Sequence, residues 1–162
     1  MRLLRHVFDF WSAKRRFPPA TLDTIQHAIA ASEHRHVGEI VFAVEGSLSA
    51  NAVLRGLNAR ARAHEVFARL RVWNTEHNTG VLVYILLADH AIEIVTDRGI
   101  AKRIDPAEWP VICGLMQRNF FEGDYARGAI AGVEAIGELL ARHFPANGQR
   151  NDDELPDRPV LL

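Results

Sequence analysis

Residues 71–88, RVWNTEHNTGVLVYILLA, decide the fold class of this chain. A polar loop with one histidine leads directly into an uninterrupted apolar run, VLVYILLA, which ends at the turn residues Asp89 and His90. A short apolar run that is rich in strand-forming residues and bounded by a turn is typical of a strand buried on both faces. A sheet covered on both faces requires two layers of helices, so this stretch predicts an α/β fold.

The segments that flank this stretch predict its partners in a sheet. Residues 37–45 contain the apolar run IVFAV and predict a first strand that is also buried on both faces. A loop at residues 46–51 and a long helix to about residue 70 separate the two strands, so they are expected to lie parallel through a right-handed crossover. The tight turn at residues 88–90 reverses the chain, and the third strand, which ends near Thr96, is therefore expected to be antiparallel to the second.

Helices complete the pattern before and after the strands. Thr21 is the expected N-cap of a helix over residues 22–34. Asp105 and the proline after it indicate a helix start, which Pro110 should bend or reset. Asp124 is expected to begin the last helix. The predicted order αβαββαα gives a three-layer α/β/α sandwich around a short mixed sheet.

Charge and composition divide the chain into three parts. Residues 1–18 carry five basic residues against one acidic residue and predict a basic amphipathic helix. Residues 19–145 form the predicted α/β domain, and residues 146–162 are predicted to be an extended or disordered acidic tail. The helix is expected to pack on the domain, with an anionic membrane surface as the alternative. The apolar residues 160–162 give the tail a means of docking on the domain.

The whole-chain composition argues against several classes of protein. The 162 residues suit one domain with one core, and a net charge of −1 gives no cationic excess for binding nucleic acid. The single cysteine, Cys113, allows no intrachain disulfide and is expected to be a buried, inert thiol, which favours the cytoplasm. No apolar run is long enough to span a bilayer, and charged residues interrupt the N-terminus where a signal peptide needs an apolar core.

Acidic residues within and after the strands are the candidate metal ligands. Glu39 and Glu93 stand inside predicted strands, where a carboxylate is costly unless it is paired or coordinated. Asp97 follows the antiparallel strand, which returns it to the edge of the sheet where Glu39 begins. These three side chains predict a site for Ca²⁺ or Mg²⁺, and a partly open sheet face or neutralisation by a cation such as Arg118 is the alternative. The second-choice ligands are Glu45, Asp89 and Asp124.

Other site chemistries have less support. His77 and Arg98 are expected near Asp97, and they are the candidate catalytic residues of a hydrolase that clamps a phosphate group. His34 and His36 are expected to be exposed loop residues. The sequence has no glycine-rich phosphate loop, dinucleotide fingerprint or serine nucleophile motif, so no nucleotide cofactor is indicated.

Several motifs together resemble the TPM domain family. They are GEI at residues 38–40, NTGVLV at 78–83, IEIV at 92–95, DRGI at 97–100 and FFEGDYARG at 120–128. The resemblance covers roughly residues 20–145 and implies a compact α/β/α sandwich. Members of the family include weak acid phosphatases, calcium binders and proteins that maintain membrane complexes. No signal peptide, membrane span or glycine-rich tail is expected here, so the chain resembles the soluble bacterial variant.

Three functions from different classes follow from these observations. The favoured one is a binding or accessory module that is linked to a divalent cation and has an unknown protein or membrane-associated partner. The first alternative is a weak acid-phosphatase-like hydrolase. The second alternative is a peripheral protein that docks on a membrane or a partner through its basic N-terminal helix.

Overall fold

A computed structural model describes residues 2–8, 12–148 and 154–162. The strands are β1 Glu39–Glu45, β2 Gly80–Leu86, β3 Ala91–Thr96 and β4 Val160–Leu161, and they form one sheet in the order β3-β2-β1-β4. The helices are α1 Arg2–Phe8, α2 Ser12–Arg16, α3 Pro19–Glu33, α4 Ala50–Leu54, α5 Ala59–Arg69, α6 Arg98–Ala101, α7 Glu108–Phe121 and α8 Tyr125–His143. As predicted, β2 runs parallel to β1 and antiparallel to β3. The three-layer sandwich with a mixed sheet is confirmed.

One face of the sheet carries the larger part of the core. Alternate residues of β1 and β2, such as Phe42 and Val83, are completely buried against α3, α7 and α8. Burying each such side chain stabilises the fold by roughly 1.5–3 kcal/mol. The helices α7 and α8 approach closely because a side chain at Gly128 or Gly132 would overlap Phe120 or Met116. These two glycines therefore allow α7 and α8 to pack closely against each other.

The opposite face packs against α5 and contains one buried polar group. Tyr84 lies among apolar neighbours such as Leu82, and its hydroxyl donates to Glu45 Oε2 at 2.5 Å. Arg62 of α5 donates to both oxygens of the same carboxylate, from Nε at 2.9 Å and from Nη2 at 3.0 Å. Burial and the adjacent carboxylate raise the pKa of Tyr84, so its hydroxyl stays a donor. This buried ion pair holds α5 against the sheet.

The helices depart from the prediction at three boundaries. The long helix expected between β1 and β2 is instead the pair α4 and α5, because Gly56 between them adopts a positive φ of 78°. Thr21 is not the N-cap of α3, which begins at Pro19 because proline suits the first helical position. α7 begins three residues after Asp105, and Pro110 lies in its first turn, where no backbone N–H is required.

Both ends of the chain contact the domain where they are described. β4 adds a short strand parallel to β1, with Leu161 opposite Val44, and Leu155 is buried on the α5 face. Residues 149–153 of the predicted acidic tail lie outside the described residues. So do residues 9–11 of the predicted N-terminal helix, whose described parts are α1 and α2. Within the described ranges, no helix has the length and apolar character that crossing a membrane requires.

Candidate functional site

The helix α1 occupies the edge of the sheet at the carboxyl ends of β1 and β2. Arg2 binds Asp89 through Nε at 3.1 Å and Nη2 at 2.8 Å, and Nη2 also donates to the Leu57 carbonyl oxygen. His6 Nδ1 accepts the Leu48 N–H, so its Nε2 carries the proton and donates to Asp89 at 3.1 Å. Burial opposes the ionisation of Asp89, but these two donors outweigh it and lower its pKa. The described part of the basic N-terminal segment is thus fastened to the domain.

The three second-choice ligands are all engaged in holding the fold together. Asp89 binds α1, and Glu45 binds Tyr84 and Arg62. Asp124 is exposed and caps α8 by accepting the Arg127 N–H at 2.9 Å. A cation at any of these positions would have to compete with a bond that the structure already makes.

The loop over residues 71–79 packs tightly on the opposite edge of the sheet. We call residues 71–80 and 97–99 together the loop edge. A side chain at Gly80 would overlap the Val72 carbonyl oxygen, and one at Gly99 would overlap the Asn78 carbonyl oxygen. Asn78 itself has a left-handed φ of 54°, and its carbonyl accepts the Gly99 N–H at 3.0 Å. Glycine at these two positions therefore brings backbone carbonyl oxygens against the ends of β2 and β3.

Asp97 lies within the loop edge, and its N–H donates to the Gly80 carbonyl at 2.9 Å. Its Oδ1 accepts the Arg98 N–H at 2.7 Å and caps α6. The residue is only 8% exposed, and no donor among the described residues reaches its buried Oδ2. A buried carboxylate oxygen without a partner is costly. It marks the loop edge as the candidate binding site.

The structure aligns Glu39 and Asp97 across neighbouring strands of the sheet, whereas Glu93 lies farther along β3. Glu39 pairs with Gly80 in the sheet, and Asp97 flanks Gly80 on its other side, so both carboxylates leave the same face about 10 Å apart. Glu93 lies four residues before Asp97, about 13 Å along the strand, and contacts Arg60 at 3.3 Å. Across the described ranges, no group of three or more His, Cys, Asp or Glu side chains is placed to hold a metal ion.

A second acidic cluster, which the sequence analysis missed, joins the C-terminal segment to the sheet. Glu33 accepts the Ile40 N–H at 2.8 Å and lies beside Glu39 and Asp157, while Glu39 accepts the Leu155 N–H at 3.4 Å. Burial and repulsion from the two carboxylates outweigh the Ile40 bond and raise the pKa of Glu33 to about 9. Glu33 therefore keeps a proton at neutral pH. The sequence carries one signal of this unusual environment: Glu33 is an acid in the last turn of a helix, where its charge is unfavourable with the helix dipole.

The expectation that His36 is an exposed loop residue is wrong, whereas it is right for His34. The His36 Nδ1–H donates to the Gly38 carbonyl at 3.0 Å, and its Nε2 accepts the Ser32 hydroxyl at 2.9 Å. Burial lowers the pKa of His36 to about 4 against the opposing effect of the Gly38 bond. Both ring nitrogens are thus engaged, and the ring is neutral and structural.

The candidate catalytic residues lie on the loop edge. His77 is exposed, and Arg98 is held by its Nε bond to Asn78 Oδ1 at 3.0 Å. Cys113 lies away from them and is half-buried rather than buried. Burial and the charge of Glu93 raise the pKa of the Cys113 thiol to about 11, which agrees with the expected inert thiol.

A mixed sheet between two helical layers, with an oxygen-rich loop on one edge, defines an α/β/α sandwich domain. The model of the TPM domain matches residues 14–139, and the chain belongs to the TPM domain family. The chain is also similar to the BA42 protein from the psychrophilic bacterium Bizionia argentinensis, whose structure was determined by NMR. The two are 28% identical, with a TM-score of 0.78 over 88% of this chain and 93% of BA42. No curated protein matches this chain.

Proposed function

We propose that this TPM domain is a binding or accessory module linked to a divalent cation, Ca²⁺ or Mg²⁺, at the loop edge. The observation that carries the proposal is the buried Oδ2 of Asp97, which no described donor reaches. A hard cation would supply the missing partner, because Ca²⁺ and Mg²⁺ bind carboxylate and carbonyl oxygens.

The residues around Asp97 are of a kind that fits such an ion. Asp97 would be the anionic ligand, and the Val72 and Asn78 carbonyl oxygens crowd the glycines on either side of it. Glu39 lies on the same face, but its carboxylate already accepts the Leu155 N–H, so a cation would have to compete with that bond. Because the described residues include no cluster of three carboxylates, little ligand charge is available. Cation binding is therefore expected to be weak, with a dissociation constant on the order of 0.1–1 mM, as in low-charge calcium sites.

Replacing Asp97 by asparagine is expected to weaken cation binding at least about tenfold, because the variant loses the ligand charge. Asparagine is also a good N-cap, so α6 should keep its start. Titration of ¹⁵N-labelled protein with CaCl₂ or MgCl₂ measures the effect through amide shifts. In the unaltered chain, the saturable shifts should concentrate on Asn78, Gly80 and Gly99.

The matched control for this titration is Asp124→Asn, which alters an exposed N-cap far from the loop edge. It should bind the cation as the unaltered chain does. The proposal fails if neither ion produces a saturable shift at millimolar concentration. It also fails if Asp97→Asn retains full affinity or if the shifts concentrate on other residues.

A weak phosphatase-like activity is the second candidate, because His77, Arg98 and Asp97 all lie on the loop edge. Such an enzyme needs a cationic clamp on phosphate and a base or nucleophile. If this assignment of roles is right, hydrolysis of a generic phosphate ester should fall at least about 100-fold in both Asp97→Ala and His77→Ala, the usual effect of removing a general acid or base. Hydrolysis that survives unchanged in both variants excludes it.

The location and partners of the protein stay predictions. The single cysteine favours a cytoplasmic location. Docking through the N-terminal segment is the less favoured alternative, because α1 uses Arg2 and His6 to bind the domain. Among the described side chains of α1, Leu4 is apolar and 61% exposed, so it could contact a partner.

A further inference from the structure

A cavity of about 430 Å³ lies at the loop edge, between the end of α6 and the end of α8. We propose that it binds a small organic anion, one that carries a carboxylate or phosphate group on an apolar body. The residues that define its chemistry are His77, Lys102, Arg103, His143, Val37 and Phe144.

The polar part of the cavity wall is cationic. Lys102 and Arg103 carry full positive charges, and His77 and His143 each add a ring N–H donor. No aspartate or glutamate in the described part of the chain lines the cavity. The chain as a whole has a net charge of −1, so this concave surface is a local excess of positive charge. Such a surface attracts and concentrates anions.

Contacts within the chain hold the cavity wall in place. The Arg103 guanidinium lies 5.1 Å from the centre of the Phe144 ring, and its Nη1 donates to the His143 carbonyl at 3.4 Å. The backbone behind it is fixed because the Val37 N–H donates to the Phe144 carbonyl at 3.0 Å. A guanidinium held on an aromatic ring loses little freedom when an oxyanion binds.

The size and the apolar part of the wall favour an organic ligand over an inorganic ion. A volume of about 430 Å³ is within the usual range of small-molecule sites, and it is far larger than one phosphate ion. Val37, Phe144 and Pro145 offer apolar surface beside the cationic groups. A ligand that combines an anionic group with an apolar body would use both parts of the wall.

The anion site adjoins the proposed cation site at Gly99 but does not include Asp97 or Glu39. Asp97 does not line the cavity, and the groups that face the anion are side chains of the chain itself. Anion binding is therefore expected to persist when a chelating resin removes divalent ions from the buffer, whereas cation binding is tested without an organic anion. Failure of one proposal does not decide the other.

The test is a titration of the ¹⁵N-labelled full chain, in buffer freed of divalent ions by a chelating resin, with phenylphosphonate, benzoate and inorganic phosphate. At least one organic probe should give saturable amide shifts around Gly99, Lys102 and Arg103, with an affinity at least about threefold above that of inorganic phosphate. Tighter binding of phenylphosphonate assigns the site to phosphate-type groups, and tighter binding of benzoate assigns it to carboxylates.

Replacing both Lys102 and Arg103 by glutamine should weaken binding of the organic probe at least about tenfold, since two charged donors are lost. Lys102 is exposed, and replacing it alone by glutamine leaves the contact between Arg103 and Phe144 intact. This single change should weaken binding of the organic probe at least about threefold. The matched control is Arg142→Gln, an exposed cation on α8 that does not line the cavity.

Three results would overturn the proposal. The first is that neither organic probe gives saturable shifts below about 10 mM, since binding weaker than that is not specific. The second is a set of shifts that maps away from the cavity. The third is equal weakening by Arg142→Gln and Lys102→Gln, which would mean that only overall charge matters.

Discussion

Replacing Glu33 by glutamine is expected to raise the free energy of unfolding at pH 8 by roughly 3–5 kcal/mol. The folded chain keeps the Glu33 proton up to a pKa of about 9, whereas the unfolded chain releases it above the ordinary value of 4.5. The unfolded state thus binds fewer protons between these pH values, so stability falls as pH rises through the whole interval. Glutamine is neutral at every pH, accepts the Ile40 N–H in the same way and can donate to Asp157.

Urea denaturation of the unaltered chain and of Glu33→Gln at several pH values from 4 to 9 measures this effect. The two free energies should be similar near pH 5 and should diverge steadily above it. Glu138→Gln, on the exposed side of α8, is the matched control and should follow the unaltered chain. Parallel profiles for the unaltered chain and Glu33→Gln would show that Glu33 ionises in the folded state as it does in the unfolded state.

His36 provides an internal reference in the same experiment because its linkage has the opposite sign. Its pKa is about 4 in the folded chain against an ordinary value of 6.5. The unfolded state therefore takes up a proton first as pH falls, and stability decreases from about pH 6.5 to 4. This acid limb should persist in Glu33→Gln. Between pH 4.5 and 6.5 the two linkages offset each other in the unaltered chain.

The sequence predicted the sheet well because its signals there are local. Apolar runs at residues 40–44 and 81–88 are buried on both faces, and the turn at residues 88–90 reverses the chain, so parallel and antiparallel pairing follow from connection length alone. The same reasoning placed Asp97 at the edge where Glu39 begins. It also grouped Glu93 with them, but residues four apart on a strand share a face and lie far apart along it, so the structure places Glu93 away from the other two.

The rest of the site depends on contacts between distant segments, which no local pattern records. The Glu33 cluster exists only because Asp157 returns from the C-terminal segment, and the basic cavity exists only because α8 ends beside Lys102. His36 resembled a loop histidine, yet Phe144 and Pro145 cover that loop through backbone pairing. Burial of a polar side chain is a property of the assembled layers, so its pKa could not be anticipated from neighbouring residues.

Replacing Gly80 by alanine is expected to destabilise the fold by about 3 kcal/mol or more, the upper range for overpacking. The added Cβ would overlap the Val72 carbonyl oxygen, and it would lie 2.9 Å from the Val72 Cγ1 atom. A backbone oxygen cannot rotate away as a flexible side chain does, so either the loop over residues 71–79 or the central strand β2 must move. For a chain of this size the midpoint of thermal unfolding should fall by about 10 °C.

The matched control is Gly114→Ala in the middle of α7, where the added Cβ would meet only Arg118 Nη1 at 3.9 Å. This change should stabilise the protein by about 0.5–1 kcal/mol, because alanine is the better helix former. Opposite shifts of the two midpoints would show that Gly80 is required for close approach of the loop rather than for general backbone freedom. If Gly80→Ala unfolds at the same temperature as the unaltered chain, the loop does not hold the Val72 carbonyl against β2. The oxygen-rich surroundings proposed for Asp97 would then lose their structural basis.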